Sequence, residues 1–454
     1  MQQVDELLQA RWVLPIQPEE TLLEHHTIVV HQGRILDLLP SDAAKAQYQG
    51  KITELPDHIV LPGLVNAHAH SPMSLFRGLA DDLPLMTWLQ NHMWPAEGDV
   101  LSPESIRDGM ELAMAEMIRG GTTCFNEHYF YPKVIAEAVE QSGMRALIGL
   151  IIMSVPTGWA KTEEEYFEKA ESLLAQSPPS DRIQWALAPH APYTVSDNSF
   201  RKIKQLSDKY NLPVHIHLHE TDTEVEGSLT QYKQRPFARL ESLGLVNERL
   251  IAVHMVQLTA EEIRACHDNN VSMVHCPESN LKLGSGIAPL TALMAASVNV
   301  ALGTDGAASN NDLDMWGELR TASFLAKGAE RNPSTLPAFS ALKMATLNGA
   351  KALGLEKEIG SIEVGKQADL VAVDLSHYFT QPNYNPISQL AYAVNRLQVS
   401  DVWVAGKALL CKGEFTTLDV DAIVNKAKHW HKRIKQYQAF PKHSVRMDTT
   451  SINE

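Results

Sequence analysis

Two rhythms of apolar and polar positions run through most of this chain. Eight short runs rich in Val, Ile, Leu and Ala stand at 64–70, 122–128, 145–152, 183–190, 213–219, 250–256, 271–276 and 298–305. Each has the length of a strand buried on both faces. Between them lie amphipathic stretches with helical spacing, such as 102–119, 166–175 and 197–210. Ser102 followed by Pro103 and Glu104 is a helix start, since Ser can accept from a free N–H and Pro needs none. Met110, Met114 and Met117 fall on one face of that helix and read as core. Strand then helix, eight times in about 240 residues, is the arithmetic of a (β/α)8 barrel. Rhythm alone would also allow a doubly wound open sheet.

The two ends read differently. Residues 1–60 hold short β-like runs at 27–31, 33–39 and 52–55, and residues 360–417 hold others at 368–373 and 402–405. Neither end has enough strands for a stable sheet, but together they do. The expectation is an α/β chain: a TIM-type (β/α)8 barrel over 61–359, inserted in a small β-sandwich domain built from 1–60 and 360–417. Residues 418–454 then form a C-terminal helix, at 420–437, and a mobile tail.

Composition narrows the function classes. Thirty-nine Lys and Arg against 54 Asp and Glu give a formal charge of −15. Such a surface repels phosphate backbones and anionic membranes, so neither nucleic acid nor membrane is an expected partner. No run of ~20 apolar residues is present, and Met1-Gln2-Gln3-Val4-Asp5 lacks the basic start of a signal peptide. The four cysteines form no C-x-x-C pair, which argues against a disulfide framework or a thiolate zinc knuckle. A cytoplasmic setting is expected.

Polar residues collect at the C-terminal ends of the predicted strands, the face on which barrel enzymes work. Run one ends Asn66-Ala67-His68-Ala69-His70, and alternation puts both histidines on one side. Run four ends at His190, run six carries His254 and run eight ends at Asp305. Run five carries His215, His217 and His219, all of which could face the interior; spacing does not say which binds metal. One H-x-H in a strand is more often structural than not. Imidazoles and a carboxylate ending five strands together are different, because burying that many polar groups without partners is costly. They describe a catalytic site for a divalent ion. Such an ion lowers the pKa of a held water to roughly 7, and a further carboxylate must then move protons. Glu220, at the mouth of run five, fits that task. Asp305 can bind or orient the water, and His254 can hydrogen-bond to it. Run four ends Pro189-His190 with no Lys, so one metal is expected rather than a lysine-bridged pair. His128 and His275 also lie at strand ends and are candidates for supporting the site. His25, His26, His58, His92, His267, His429 and His431 read as surface or packing residues. Gly284-Ser285-Gly286 reads as a turn, and Glu163-Glu164-Glu165 as a solvated helix face.

Four segments carry a resemblance: 62–70, His217-Leu218-His219-Glu220, Val253-His254, and Gly303-Thr304-Asp305-Gly306-Ala307-Ala308-Ser309-Asn310. With them the chain resembles the amidohydrolase superfamily over nearly its whole length. Arg77-Gly78-Leu79-Ala80-Asp81-Asp82 and Ser279-Asn280-Leu281-Lys282-Leu283-Gly284-Ser285-Gly286 resemble its branch of chlorohydrolases and aromatic deaminases. The resemblance implies metal ligands His68, His70, His217 and Asp305, holding one divalent ion per chain. Zinc is expected first, with iron or manganese as alternatives. It implies Glu220 as the acid that protonates N1 of a purine while hydroxide adds at C6, with His254 polarising that hydroxide. It also implies His190 in contact with substrate and Glu97 on the ribose hydroxyls. The implied activity is hydrolytic deamination of an adenine nucleoside thioether, 5'-methylthioadenosine to 5'-methylthioinosine and ammonia, with S-adenosylhomocysteine or adenosine as further substrates. A guanine or 8-oxoguanine deaminase and a chlorotriazine hydrolase are the alternatives within the branch. An inactive metal-binding scaffold is the alternative outside it. No Arg stands between Arg145 and Arg182 to meet an amino-acid carboxylate, so the methylthio substrate is expected to be preferred. A homodimer is expected only because such folds often pair.

Overall fold

The computed structural model describes residues 1–177 and 180–438; the tail expected after the last helix lies outside them. Four strands open the chain: β1 Gln2–Val13, β2 Leu23–His31, β3 Arg34–Pro40 and β4 Tyr48–Pro62. The eight apolar runs follow as β5 Leu64–Ala69, β6 Thr122–Glu127, β7 Arg145–Ile152, β8 Ile183–Pro189, β9 Val214–Leu218, β10 Leu250–His254, β11 Ser272–His275 and β12 Asn299–Leu302. Four more complete the set: β13 Leu370–Asp374, β14 Val399–Val404, β15 Lys407–Cys411 and β16 Glu414–Phe415.

Strands β5 to β12 pair in sequence order, all parallel. The ring closes where Ala69 bridges Asp305 and the Asp305 N–H donates to the His68 carbonyl at 3.1 Å. A closed, sequential, parallel ring is a (β/α)8 barrel, and the doubly wound alternative falls. Gly303 permits the closure, because a Cβ there would meet the His68 nitrogen at 2.8 Å. Inside, Val65, Leu147, Ala186, Ile251, Val274 and Ala301 form one apolar cluster. Strands on opposite sides of a ring meet only through its interior, so this layer fills the barrel. Helices pack outside; Pro103–Arg119 starts on Ser102, whose hydroxyl accepts from the Ser105 N–H at 3.2 Å.

The remaining strands form one sheet in the order β16-β15-β14-β13-β4-β1-β2-β3. It is a single sheet folded over on itself. Arg34 at its β3 edge bridges Gln367, just before β13, and Leu8, Ile28, Val60, Leu370 and Trp403 fill the fold. β1 has no counterpart among the sequence expectations, and β4 runs well beyond the short 52–55 segment. Both carry register shifts against each other, and such irregularities break the two-residue alternation that marks a strand.

Gly63 links β4 to the barrel at a point where a Cβ would meet the Thr123 side chain at 2.1 Å. Beside it, Arg145 of β7 forms a buried two-point ion pair with Asp369, at 2.8 and 3.1 Å. Near the chain's end, helix Val420–Ile434 lies on Pro103–Arg119, with Trp430 Nε1 donating to Asp108 at 2.8 Å. No helix among the described residues is long and apolar enough to cross a membrane.

Candidate active site

Side chains from β5, β9 and the end of β12 converge on one point. His70 Nδ1 donates to the His128 carbonyl and His217 Nδ1 to the His190 carbonyl, both at 2.6 Å. Their protons are thereby fixed on Nδ1, and the two Nε2 lone pairs face each other 3.1 Å apart. Asp305 Oδ1 stands 3.2 Å from both His68 Nε2 and His70 Nε2. Lone pairs crowded against a carboxylate repel unless a cation lies among them. The ligand atoms of His68, His70, His217 and Asp305 all lie within 4.8 Å of one another. A tetrahedral ion with 2.0 Å bonds has ligand edges of about 3.3 Å. The nest therefore fits a divalent ion in donor type and spacing. Burial pushes the His68 imidazole down to about 4, which keeps it neutral and able to donate its lone pair.

The backbone at the strand ends is bent to aim these groups. His219, His254 and Asp305 all have φ in the left-handed region, at 55°, 73° and 59°. Such conformations are uncommon without glycine and gather at functional sites. They also part the three histidines of run five. His215 and His217 face inward, whereas His219 turns out of the barrel. Its Nε2 accepts from the Phe237 N–H at 3.0 Å and its Nδ1 meets the Gln257 carbonyl at 2.9 Å. Nothing in the spacing could show that turn.

Groups without a role in the sequence reading, all but Glu224 inside its motifs, hold the site in place. Ser279 and Ser309 hydroxyls donate to Asp305 Oδ2 at 2.6 and 2.8 Å, leaving Oδ1 to the histidines. His254 Nδ1 bonds to Asn280 Oδ1 at 2.9 Å, so its Nε2 faces Glu220 Oε2 at 3.8 Å. Glu224 accepts from the His219 and Glu220 N–H groups at 3.0 and 2.8 Å and fixes the stem of Glu220. Ser285, in the supposed plain turn, donates to Glu220 Oε1 at 3.4 Å. Burial, with Asp305 nearby, raises the Glu220 carboxyl above its ordinary value.

A cavity of about 550 Å³ opens over the nest, a size suited to a small organic ligand. Glu220, His254, His190 and Asp305 line it, and Leu101, Ile151, Met153 and Val155 give it an apolar wall. Burial pushes the His190 ring down to about 3, so it is neutral, and its Nδ1 lies 3.1 Å from the Thr194 hydroxyl. Glu97 comes from the strap between β5 and β6. That strap contains a wide turn, Leu89–Met93, in which the Trp94 N–H reaches back to the Leu89 carbonyl; such turns recur at functional sites. Glu97 accepts a hydrogen bond from the Tyr129 hydroxyl, and burial pushes its carboxyl up to about 7.

The structure parts the two supporting histidines. His128 lines the cavity, while His275 lines a separate pocket with Leu290, Ala322 and Ala326. It also adds a cation that a search for arginines passes over: Lys161 lines the cavity, its Nζ donating to the Thr157 carbonyl at 2.6 Å.

Comparison with known proteins places the chain in a family. Residues 59–409 match the amidohydrolase family. A 5-methylthioadenosine/S-adenosylhomocysteine deaminase of Saccharophagus degradans is 44% identical over 96% of this chain and 98% of its own length. One of Teredinibacter turnerae is 43% identical over 95% and 98%. Among solved structures, an adenosine deaminase from Xanthomonas campestris with bound zinc superposes with a TM-score of 0.95, at 52% identity, covering 96% of this chain and 99% of that one.

Proposed function

The chain belongs to the amidohydrolase family, and on that premise we propose that it hydrolyses the exocyclic amine of 5'-methylthioadenosine, giving 5'-methylthioinosine and ammonia. One observation carries the reading: a single cavity presents an ion nest, two carboxylates, Glu220 and Glu97, and an apolar wall. A purine, a ribose and a methylthio group ask for those features together. The names of the relatives support the same substrate class.

His68, His70, His217 and Asp305 would hold one divalent ion, for which a three-imidazole, one-carboxylate set suits zinc best. The ion would lower the pKa of a water in the nest to roughly 7. Burial favours the protonated form of Glu220, which delivers its proton to purine N1 as water adds to C6. His254, oriented by Asn280, hydrogen-bonds to the attacking oxygen. The proton released by the water passes to the amine, the C6–N bond breaks, ammonia leaves, and the proton of the C6 hydroxyl returns to Glu220 as the carbonyl forms. Glu97 accepts from both ribose hydroxyls, a task suited to a carboxylate with two oxygens, and His190 contacts the substrate. A guanine deaminase or a chlorotriazine hydrolase has no use for a diol-binding Glu97, and an inactive scaffold has none for Glu220. Lys161 favours a second reading in which S-adenosylhomocysteine is also accepted, its carboxylate meeting the ammonium at the cavity wall.

Ultraviolet spectroscopy with 5'-methylthioadenosine, S-adenosylhomocysteine, adenosine and guanine tests the proposal. The expected result is an adenine-to-hypoxanthine change with the highest kcat/KM for 5'-methylthioadenosine. Turnover of guanine alone would overturn it. Metal analysis of the active protein checks for one zinc per chain.

A further inference from the structure

Three imidazoles hold the nest, and only one of them leans on another side chain. The Nδ1 protons of His70 and His217 go to backbone carbonyls, which any sequence supplies. His68 Nδ1 instead lies 2.9 Å from His215 Nε2, with both rings fully buried. His68 Nε2 faces Asp305 and the nest, so its proton sits on Nδ1 and His215 Nε2 must be the acceptor. That fixes the proton of His215 on its own Nδ1, which is buried without a hydrogen-bond partner. An unmet buried donor is destabilising, and an apolar residue at 215 would avoid it. Behind His215, at 4.9 Å between ring centres, stands His128, whose two nitrogens are also buried without partners.

His68, His128 and His215 also lie close enough together to suggest a second metal site. Chemistry argues against one. The proton on His68 Nδ1 would have to leave, and no carboxylate stands among the three to balance a second dication in the barrel interior.

We infer that His215 is a positioning residue for His68: it holds the ring in the one tautomer and orientation that present Nε2 to the ion. Outer partners of this kind typically change metal affinity 10–100-fold when removed. The inference rests on the nest holding an ion, but not on which nucleoside is deaminated. Its test is zinc affinity by chelator competition, together with the visible spectrum of the cobalt-substituted protein. His215→Phe, which leaves the His68 proton unmet, is expected to weaken zinc about 10–100-fold and shift the cobalt bands. In His215→Gln, Oε1 can take the place of Nε2, and affinity and spectrum should return close to wild type. The amide of His215→Asn ends where Nδ1 was, and this variant should behave like Phe. His128→Phe should leave one ion per chain. Wild-type affinity in His215→Phe, or equal losses in the Gln, Asn and Phe variants, would overturn the inference alone. Two ions in the wild type with one lost in His128→Phe would replace it with a second metal site. A wild-type chain that binds no divalent ion would overturn both the inference and the metal reading beneath it.

Discussion

Glu97 is the residue whose replacement separates a nucleoside deaminase from a base deaminase. Glu97→Gln keeps one acceptor and loses the charge, so KM for 5'-methylthioadenosine should rise about tenfold, the worth of one charge-assisted hydrogen bond, while kcat changes little. Steady-state kinetics checks this, and a rise in neither constant would remove the diol role. The pH dependence follows from the same carboxyl. Its pKa is raised to about 7, so Glu97 is neutral below that value and charged above it. kcat/KM, which reports the free enzyme, should therefore fall as pH drops from about 8 to about 6. In Glu97→Gln the fall should be shallower, the part that remains belonging to the nest water, whose pKa the ion would bring to roughly 7. At this scale the strand-end positions of His68, His70, His217 and Asp305 were legible, because two-residue parity and barrel geometry are properties of sequence. The outward turn of His219 was not, since it depends on a single positive φ. The hydroxyls of Ser279 and Ser309 lay in quoted motifs, but spacing does not reveal what a side chain bonds to.

Among elements, the eight barrel strands were legible to within three residues at each end, since each is a continuous apolar run bounded by polar turns. β1 was missed because its register shifts break the alternation, and the strap between β5 and β6 because its turns are too short to show a period. The segment between β7 and helix Glu163–Gln176 carries the specificity question. It supplies Met153, Val155 and Lys161 to the cavity. Lys161→Met should leave kcat/KM for 5'-methylthioadenosine within about twofold. If the ammonium meets a carboxylate, the same change should lower kcat/KM for S-adenosylhomocysteine by up to about fivefold, the worth of a solvent-exposed ion pair. Parallel assays of the two nucleosides read this directly, and an equal effect on both would remove Lys161 from specificity. The strap that carries Glu97 is braced in turn from the chain's end, where His92 Nδ1 donates to the Tyr437 carbonyl at 3.1 Å.

At the scale of the whole molecule, the barrel and the folded sheet are tied by Arg145 and Asp369, whose side chains are 3% and 1% exposed. Asp369 Oδ1 also accepts from the Ala405 N–H at 2.8 Å, so one carboxylate joins β7 to the turn after β14. Asp369→Ala would strand a buried guanidinium and should cost about 3–5 kcal/mol, seen as a lowered thermal midpoint with the metal site intact. That sheet strands would come from both ends of the chain was legible, because neither end could form a stable sheet alone. The pairing that seals them is β4 with β13, His58 to Pro62 against Asp374 to Leu370. These neighbours in space are separated in the chain by about 300 residues of barrel. A ribosome adding 5–20 residues per second takes roughly 15–60 s to cover that distance. Throughout that interval the edge of β4 that will receive β13 stays bare, so the sheet is finished only after the barrel inserted between its strands has been made.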